Sequence, residues 1–238
     1  MYTPIHCIAL RTVAHSDTQL ILTAWSREYG RVAFAVPAGA SREARRRRAL
    51  TAPLALFEGV TALKAGRDVL PLRDFSASPG SPAFDPSPLK GMTACFIAEL
   101  LDIVLRSAPA DARLWDVLME GIAAMTADAG DHPAFHLLYI YRIADALGVG
   151  PDMDAYAPGT VFDMREARWR ATQPLHPDFL EGEAAADLHA LATADYHTLP
   201  TLSRLRRSTL MENLLRYYSI HLTPIRSLSS LEILRRLG

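Results

Sequence analysis

The chain has very little cysteine and almost no lysine. Only Cys7 and Cys95 occur in 238 residues, far apart, so neither a disulfide framework nor a cysteine-based zinc module can be built from them. No apolar run approaches the ~18 uninterrupted residues that read as a membrane span, so no membrane partner is expected. The opening Met1-Tyr2-Thr3-Pro4-Ile5-His6 lacks a basic stretch followed by a long apolar one. It reads as no signal peptide, which makes the cytoplasm the default expectation. Glycines are scattered singly, leaving no phosphate-cradling loop and no expected use of ATP. Ser41, Ser107 and Ser208 lie outside any Gly-x-Ser-x-Gly elbow. His132 and His136 have a spacing that can hold zinc on a helix, but Pro133 stands where hydrolytic zinc helices carry Glu. Ordinary histidines at a helix start explain the pair, and acids of a solvated loop explain Asp152 and Asp154. No nucleophile, metal site or carboxylate pair emerges, so the expectation is a protein that is not an enzyme, with no metal and no cofactor.

What is present is a folded chain, half hydrophobic and 21% charged, enough to bury a core. Its net charge of −1 hides an uneven distribution. Residues 1–80 carry eleven basic side chains against six acidic ones, residues 81–200 seven against eighteen, and residues 201–238 seven against two. Two basic ends around an acidic middle suggest a polyanionic partner for the ends. Only Lys64 and Lys90 are lysines; the other 23 basic residues are arginines. Arginine suits phosphate and base stacking, although GC-rich coding produces the same bias.

The first eighty residues read as strands. Cys7–Leu10, residues 19–25, residues 31–36, residues 54–63 and residues 69–75 are short apolar runs. Ser26-Arg27-Glu28-Tyr29-Gly30 and Gly66-Arg67-Asp68 serve as turns. Five short strands suggest a small closed or partly open barrel. Residues 76–88 are dense in Pro, Ser and Gly and read as a linker. Beyond them the period becomes helical, over Leu89–Arg106, Ala112–Thr126, Phe135–Leu147, Ala184–Thr193, Arg207–Leu222 and Ser229–Leu237. Leu89, Met92, Phe96, Leu100 and Ile103 share one face of the first helix, and Asp102 and Arg106 form an i,i+4 pair on another. Asp131 is placed to cap the third helix, with Pro133 in its first turn, and Gly148 to end it. Residues 161–171 read as a short hairpin. The chain is therefore expected to be α+β, with a barrel over 1–80 and a helical domain over 81–238 that carries a hairpin near 160–171.

Two arginine groups stand out. Arg42, Arg45, Arg46, Arg47 and Arg48 fall between the third and fourth strands. Five like charges in seven positions repel one another unless an anion meets them, so phosphate contact is the functional reading and a solvated loop the plain one. Trp25, Tyr29 and Phe34 lie near the same hairpin and could stack on bases, or pack the core, the reading favoured for Phe34. Arg204, Arg206 and Arg207, with Arg216 beyond them, do not share one helix face. Arg204, Arg206 and Arg207 either extend the basic patch as further DNA-contacting candidates or pair with the acidic middle.

Several stretches resemble the bacterial RecO family of recombination mediators. The residues are Ile8–Thr12, Ser16–Thr23 and Ser26–Gly30 near the start, then Leu147–Pro151. Near the end they are Leu214–Tyr218, His221-Leu222, and Leu228 with Leu231–Leu234. Their order and spacing carry the likeness rather than any one motif. The resemblance implies an N-terminal OB-type barrel and a helical C-terminal domain. It implies binding of single- and double-stranded DNA, strand annealing, and work with RecR in loading RecA on strands coated by the single-stranded DNA-binding protein SSB. Docking of the acidic, apolar C-terminal tail of SSB is implied for the helical domain. The family's DNA-contacting positions map onto Arg27, Arg42 and Arg45–Arg48. Many relatives carry a cysteine-rich zinc module after the central helix; residues 150–185 hold no cysteine, so this variant is expected to need no zinc and to draw rigidity from Phe162 and Trp169. The alternative function is an adaptor acting through the acidic helical domain, with the arginines incidental.

Overall fold

The short apolar runs of the first eighty positions form five strands, here seen in a computed structural model that describes residues 2–39, 49–62, 66–82 and 87–237. They are β1 (Thr3–Ser16), β2 (Gln19–Ser26), β3 (Gly30–Pro37), β4 (Leu56–Thr61) and β5 (Leu70–Ala77). They close a barrel in the order β1-β2-β3-β5-β4. All neighbours are antiparallel except β3 and β5, which meet in parallel through Phe34–Leu70 and Ala35–Pro71. β1 is far longer than the apolar run that announced it. Its first half pairs with β4 and its second with β2, with a register shift between Ala9 and Arg11. One strand thus serves two neighbours as the barrel closes.

Ile5, Cys7, Leu22, Phe34, Phe57 and Leu70 fill the barrel. The Phe57 ring meets Phe34 and Phe75 edge-on, at centroid distances of 6.2 and 4.9 Å, a favourable arrangement. Burial pushes the Cys7 thiol far above its usual range, so this cysteine acts as a small hydrophobe. The β2–β3 turn is held by Ser26, whose hydroxyl accepts from the amides of Glu28 and Tyr29. Gly30 takes φ +72° there, and a Cβ would lie 3.1 Å from the amide nitrogen of Ala110.

Helix α1 (Pro88–Val104) starts at Ser87, whose side chain accepts from the Lys90 amide. Sequence spacing pairs Asp102 with Arg106, but the structure turns Asp102 to the barrel instead. Asp102 is buried, and its carboxylate accepts from Arg31 of β3 (2.7 Å) and pairs with Arg11 of β1 (3.7 Å). The C-terminal half of α1 is buried on several sides (Phe96, Ile97, Leu100, Leu101), and its partly exposed positions are Glu99 and Ile103 rather than Asp102. Contacts divide the chain into compact units of residues 1–115 and 116–238, the first of which holds α1 as well as the barrel. The change from strand to helix near residue 80 is thus not where contacts divide; the division falls within α2 (Ala112–Thr126).

In the second unit, a 3-10 turn over Asp128–Asp131 precedes α3 (Phe135–Ala146). α3 begins after Ala134 with no side-chain cap, so Asp131 does not cap it and Pro133 lies before its first turn. The ring nitrogen of His132 accepts from the Ala134 amide instead. α3 is nearly all buried, as its composition predicts. Its Tyr139 donates to the Leu118 carbonyl, and Tyr218 of α5 (Arg204–His221) donates to the Ile140 carbonyl, both at 2.7 Å. Gly121 leaves room for the Tyr139 ring, which a Cβ would strike. Gly148, at φ +76°, ends the α3 segment as expected. α4 (Gly182–Ala192) and α6 (Ser229–Leu237) complete the helices.

The expected hairpin is part of a three-stranded sheet: β6 (Val161–Asp163) between β7 (Arg168–Arg170) and β8 (Phe179–Leu180). Phe162 and Trp169 are buried with ring centroids 5.1 Å apart. The buried Asp163 carboxylate accepts from the amides of Arg165 and Glu166. Arg170 Nε lies 2.8 Å away and His176 3.3 Å away. No group of three or more possible metal ligands occurs among the described residues.

Replacing Asp102 by Ala leaves Arg31 without its partner at a site only partly open to water. We expect a loss of about 3 kcal/mol, the lower end for a broken buried pair because Arg31 keeps some solvent. Urea unfolding followed by circular dichroism measures it; a loss below about 1 kcal/mol would show that the pair does not hold α1 to the barrel.

Candidate nucleic-acid interface and an arginine-lined pocket

Arg27 lies in the β2–β3 turn and is exposed. Its amide donates to the His6 carbonyl (2.9 Å), laying the turn along β1. In the same turn Glu28 accepts from Ser26 and His6, which hold its carboxyl below the usual range against the opposing push of burial. Arg42 and Arg45–Arg48 lie outside the described residues; in sequence they connect β3 to β4. Of the three aromatics near this hairpin, Trp25 and Phe34 are wholly buried and cannot meet a base. Tyr29 is half-buried, with its hydroxyl 3.1 Å from Thr3 Oγ1.

The aromatic that the barrel does expose was not singled out from sequence. Tyr2 is 41% exposed, and the Arg73 guanidinium lies 4.5 Å from its ring centre. Seventy-one positions separate the two in the chain. Only the β1–β4 and β4–β5 pairings bring them together.

The C-terminal arginine group divides. Arg206 donates to Asp187 of α4 and lies 3.4 Å from Glu183, one of the two uses its spacing left open. Arg204 and Arg207 line a cavity of about 280 Å³ instead, with Ser208, Met211, Leu231 and Leu234. His136 of α3 also lines it. Arg207 donates to the Leu202 carbonyl at 2.7 Å. Three arginines crowd the first turn of α5, which Ser203 caps. That is the positive end of the helix dipole, where cations are unfavourable. Asp187 and Glu183 engage Arg206 there. The cavity joins an apolar wall to two arginine side chains, a combination suited to a ligand with an acidic group beside apolar side chains. This pocket was not legible from sequence, because α3, α5 and α6 each contribute to it.

A closed five-stranded barrel in this order, with β3 parallel to β5, is an OB-type module, here in one chain with a helical unit. Comparison with known proteins agrees. The family model for the N-terminal part of recombination protein O matches residues 1–75, and that for its C-terminal part matches residues 87–228. A DNA repair protein RecO from Phocaeicola vulgatus is 29% identical, over 97% of this chain and 96% of its own. The proteins of the same name from Bacteroides fragilis and Porphyromonas gingivalis are 26% and 27% identical over the same shares. The chain belongs to the RecO family of DNA repair proteins. No helix among its described residues is long and apolar enough to cross a membrane.

Burial, helped by the charge of Arg207, lowers the pKa of His136 to about 4, from about 6.5 in an unfolded chain. The unfolded state then binds more protons between these values, so stability is present above pH 6.5 and lost as pH falls towards 4. Unfolding midpoints measured from pH 7 to pH 4 are expected to fall less steeply in His136→Leu than in the parent. An identical slope would mean that His136 is not held neutral.

Proposed function

We propose that this protein is a non-enzymatic recombination mediator acting in the cytoplasm. It binds single- and double-stranded DNA, anneals strands, and works with RecR to let RecA load on strands coated by SSB. Arg27, Arg42 and Arg45–Arg48 supply phosphate contacts from the barrel unit. In the helical unit, Arg204 and Arg207 receive the C-terminal tail of SSB: its acidic groups meet these arginines and its apolar side chains meet Met211, Leu231 and Leu234. The observation that carries the reading is the presence of two different anion-seeking features in one RecO-family chain. One is an OB-type barrel with five arginines in its β3–β4 connection. The other is an apolar cavity lined by arginines. Arg206 takes no direct part in this reading, since Asp187 engages it.

DNA binding of this kind is independent of sequence and releases about 0.7 counterions per neutralised phosphate of a single strand. Changing Arg45–Arg48 to Ala is expected to reduce the slope of log affinity against log salt by up to about 3, and to weaken all sequences alike. Fluorescence anisotropy of labelled oligonucleotides at several salt concentrations measures it. An unchanged slope would remove these arginines from the interface.

A further inference from the structure

We propose that Tyr2 and Arg73 form a stacking platform for an unpaired base of single-stranded DNA, a contact separate from the arginines already assigned to phosphate. The proposal rests on the DNA-binding reading above and adds to it a site that recognises the base rather than the backbone.

The geometry is built by the strands. β4 and β5 pair as Val60–Arg73 and Thr61–Leu72, but as Glu58–Ser76 further along, so β5 carries an extra residue. Such a bulge bends a strand and re-aims its side chains. Asp74 sits in the bulge with φ +50°, a conformation that non-glycine residues rarely adopt and that clusters at functional sites. Opposite it, Gly59 has no alternative: a Cβ there would come within 2.9 Å of the Arg73 carbonyl oxygen. The sequence thus spends a glycine and a strained aspartate on presenting Arg73, which is exposed. Its guanidinium lies over the ring of Tyr2, and that attraction orients the ring before any ligand arrives.

An exposed aromatic beside an arginine is the pairing that holds unstacked bases, because every base offers a π face to the ring. Both residues flank the β4–β5 connection, one of the loops through which OB barrels meet oligonucleotides; it also carries the exposed Arg67. Arg27 is close enough to serve the same strand. Its turn lies along β1, through the His6 carbonyl and through Tyr29 and Thr3. His6 stands four residues from Tyr2, about 13 Å along the strand.

The test compares two labelled oligonucleotides of equal length, one of thymidines and one abasic, in anisotropy titrations at low salt. Full-length Tyr2→Leu is expected to bind the thymidine strand roughly 5- to 100-fold more weakly than the parent. Its affinity for the abasic strand should stay unchanged, and Tyr2→Phe should behave as the parent does. Equal affinity of Tyr2→Leu and the parent for the thymidine strand would overturn the platform. So would an equal loss on both strands. A parent protein that binds neither strand would instead overturn the DNA-binding reading on which the platform depends. Should Tyr2→Leu fail to fold by circular dichroism, Arg73→Gln gives the same comparison: a smaller ratio of thymidine to abasic affinity supports the platform, and an unchanged ratio overturns it.

Discussion

A single buried carboxylate organises the first unit. Asp102 lies on α1 among apolar neighbours, a costly place for a charge. It is tolerated because two strands bring arginines to it, Arg31 from β3 and Arg11 from β1. Neither arginine would point there without the barrel, and α1 would have no polar reason to settle on the barrel without them. The contact also specifies which way α1 lies, since an apolar face alone accepts several rotations and a buried ion pair accepts one. That role in specificity is a better account of its presence than net stability, which buried pairs often fail to add.

The same logic holds at three acids in the acidic middle of the chain. Asp163 gathers Arg170, His176 and two amides. Asp178 accepts from Arg165 and Arg216, which outweigh the effect of its burial and hold its carboxyl below the usual range. Asp187 takes Arg206. These three acids are internal partners for arginines, whereas Asp116, Asp145, Asp152, Asp154 and Glu181 are exposed. Arg42 and Arg45–Arg48 have a single acid among them in sequence, Glu43, and the anion proposed for them is the phosphate backbone of DNA.

How much of this was legible beforehand follows from the range of each interaction. The β2–β3 hairpin, the helices and the stop at Gly148 depend on neighbours in sequence, and their residues announce them. The length of β1 was hidden because its outer positions (Arg11, Thr12, His15) are polar and because pairing with two strands, not apolar alternation, sustains it. Asp102 was misplaced since an i,i+4 arginine is visible in sequence whereas Arg31 is seventy-one residues away. The start of α3 at Phe135 was legible, but its cap was not, because a 3-10 turn takes up Asp131 before the helix begins. Tyr2–Arg73 and the pocket around Arg204 and Arg207 are juxtapositions of distant segments, and no local pattern encodes them. OB-type closure was read from strand count and family resemblance together; the parallel β3–β5 contact that completes it involves two residue pairs, too few to leave a signature.

The proposed function assigns the strand to the barrel and the acidic tail of the protein that coats it to the helical pocket. It is tested most directly by measuring binding of the full-length protein to SSB-coated single strands, with SSB intact or lacking its tail. The parent should be compared with Arg204→Ala/Arg207→Ala. If the tail occupies the pocket, removing the tail and removing the arginines should each weaken binding, and doing both should weaken it no further than either alone, since coupled groups are not additive. Losses that simply add, or binding that ignores both changes, would contradict the account.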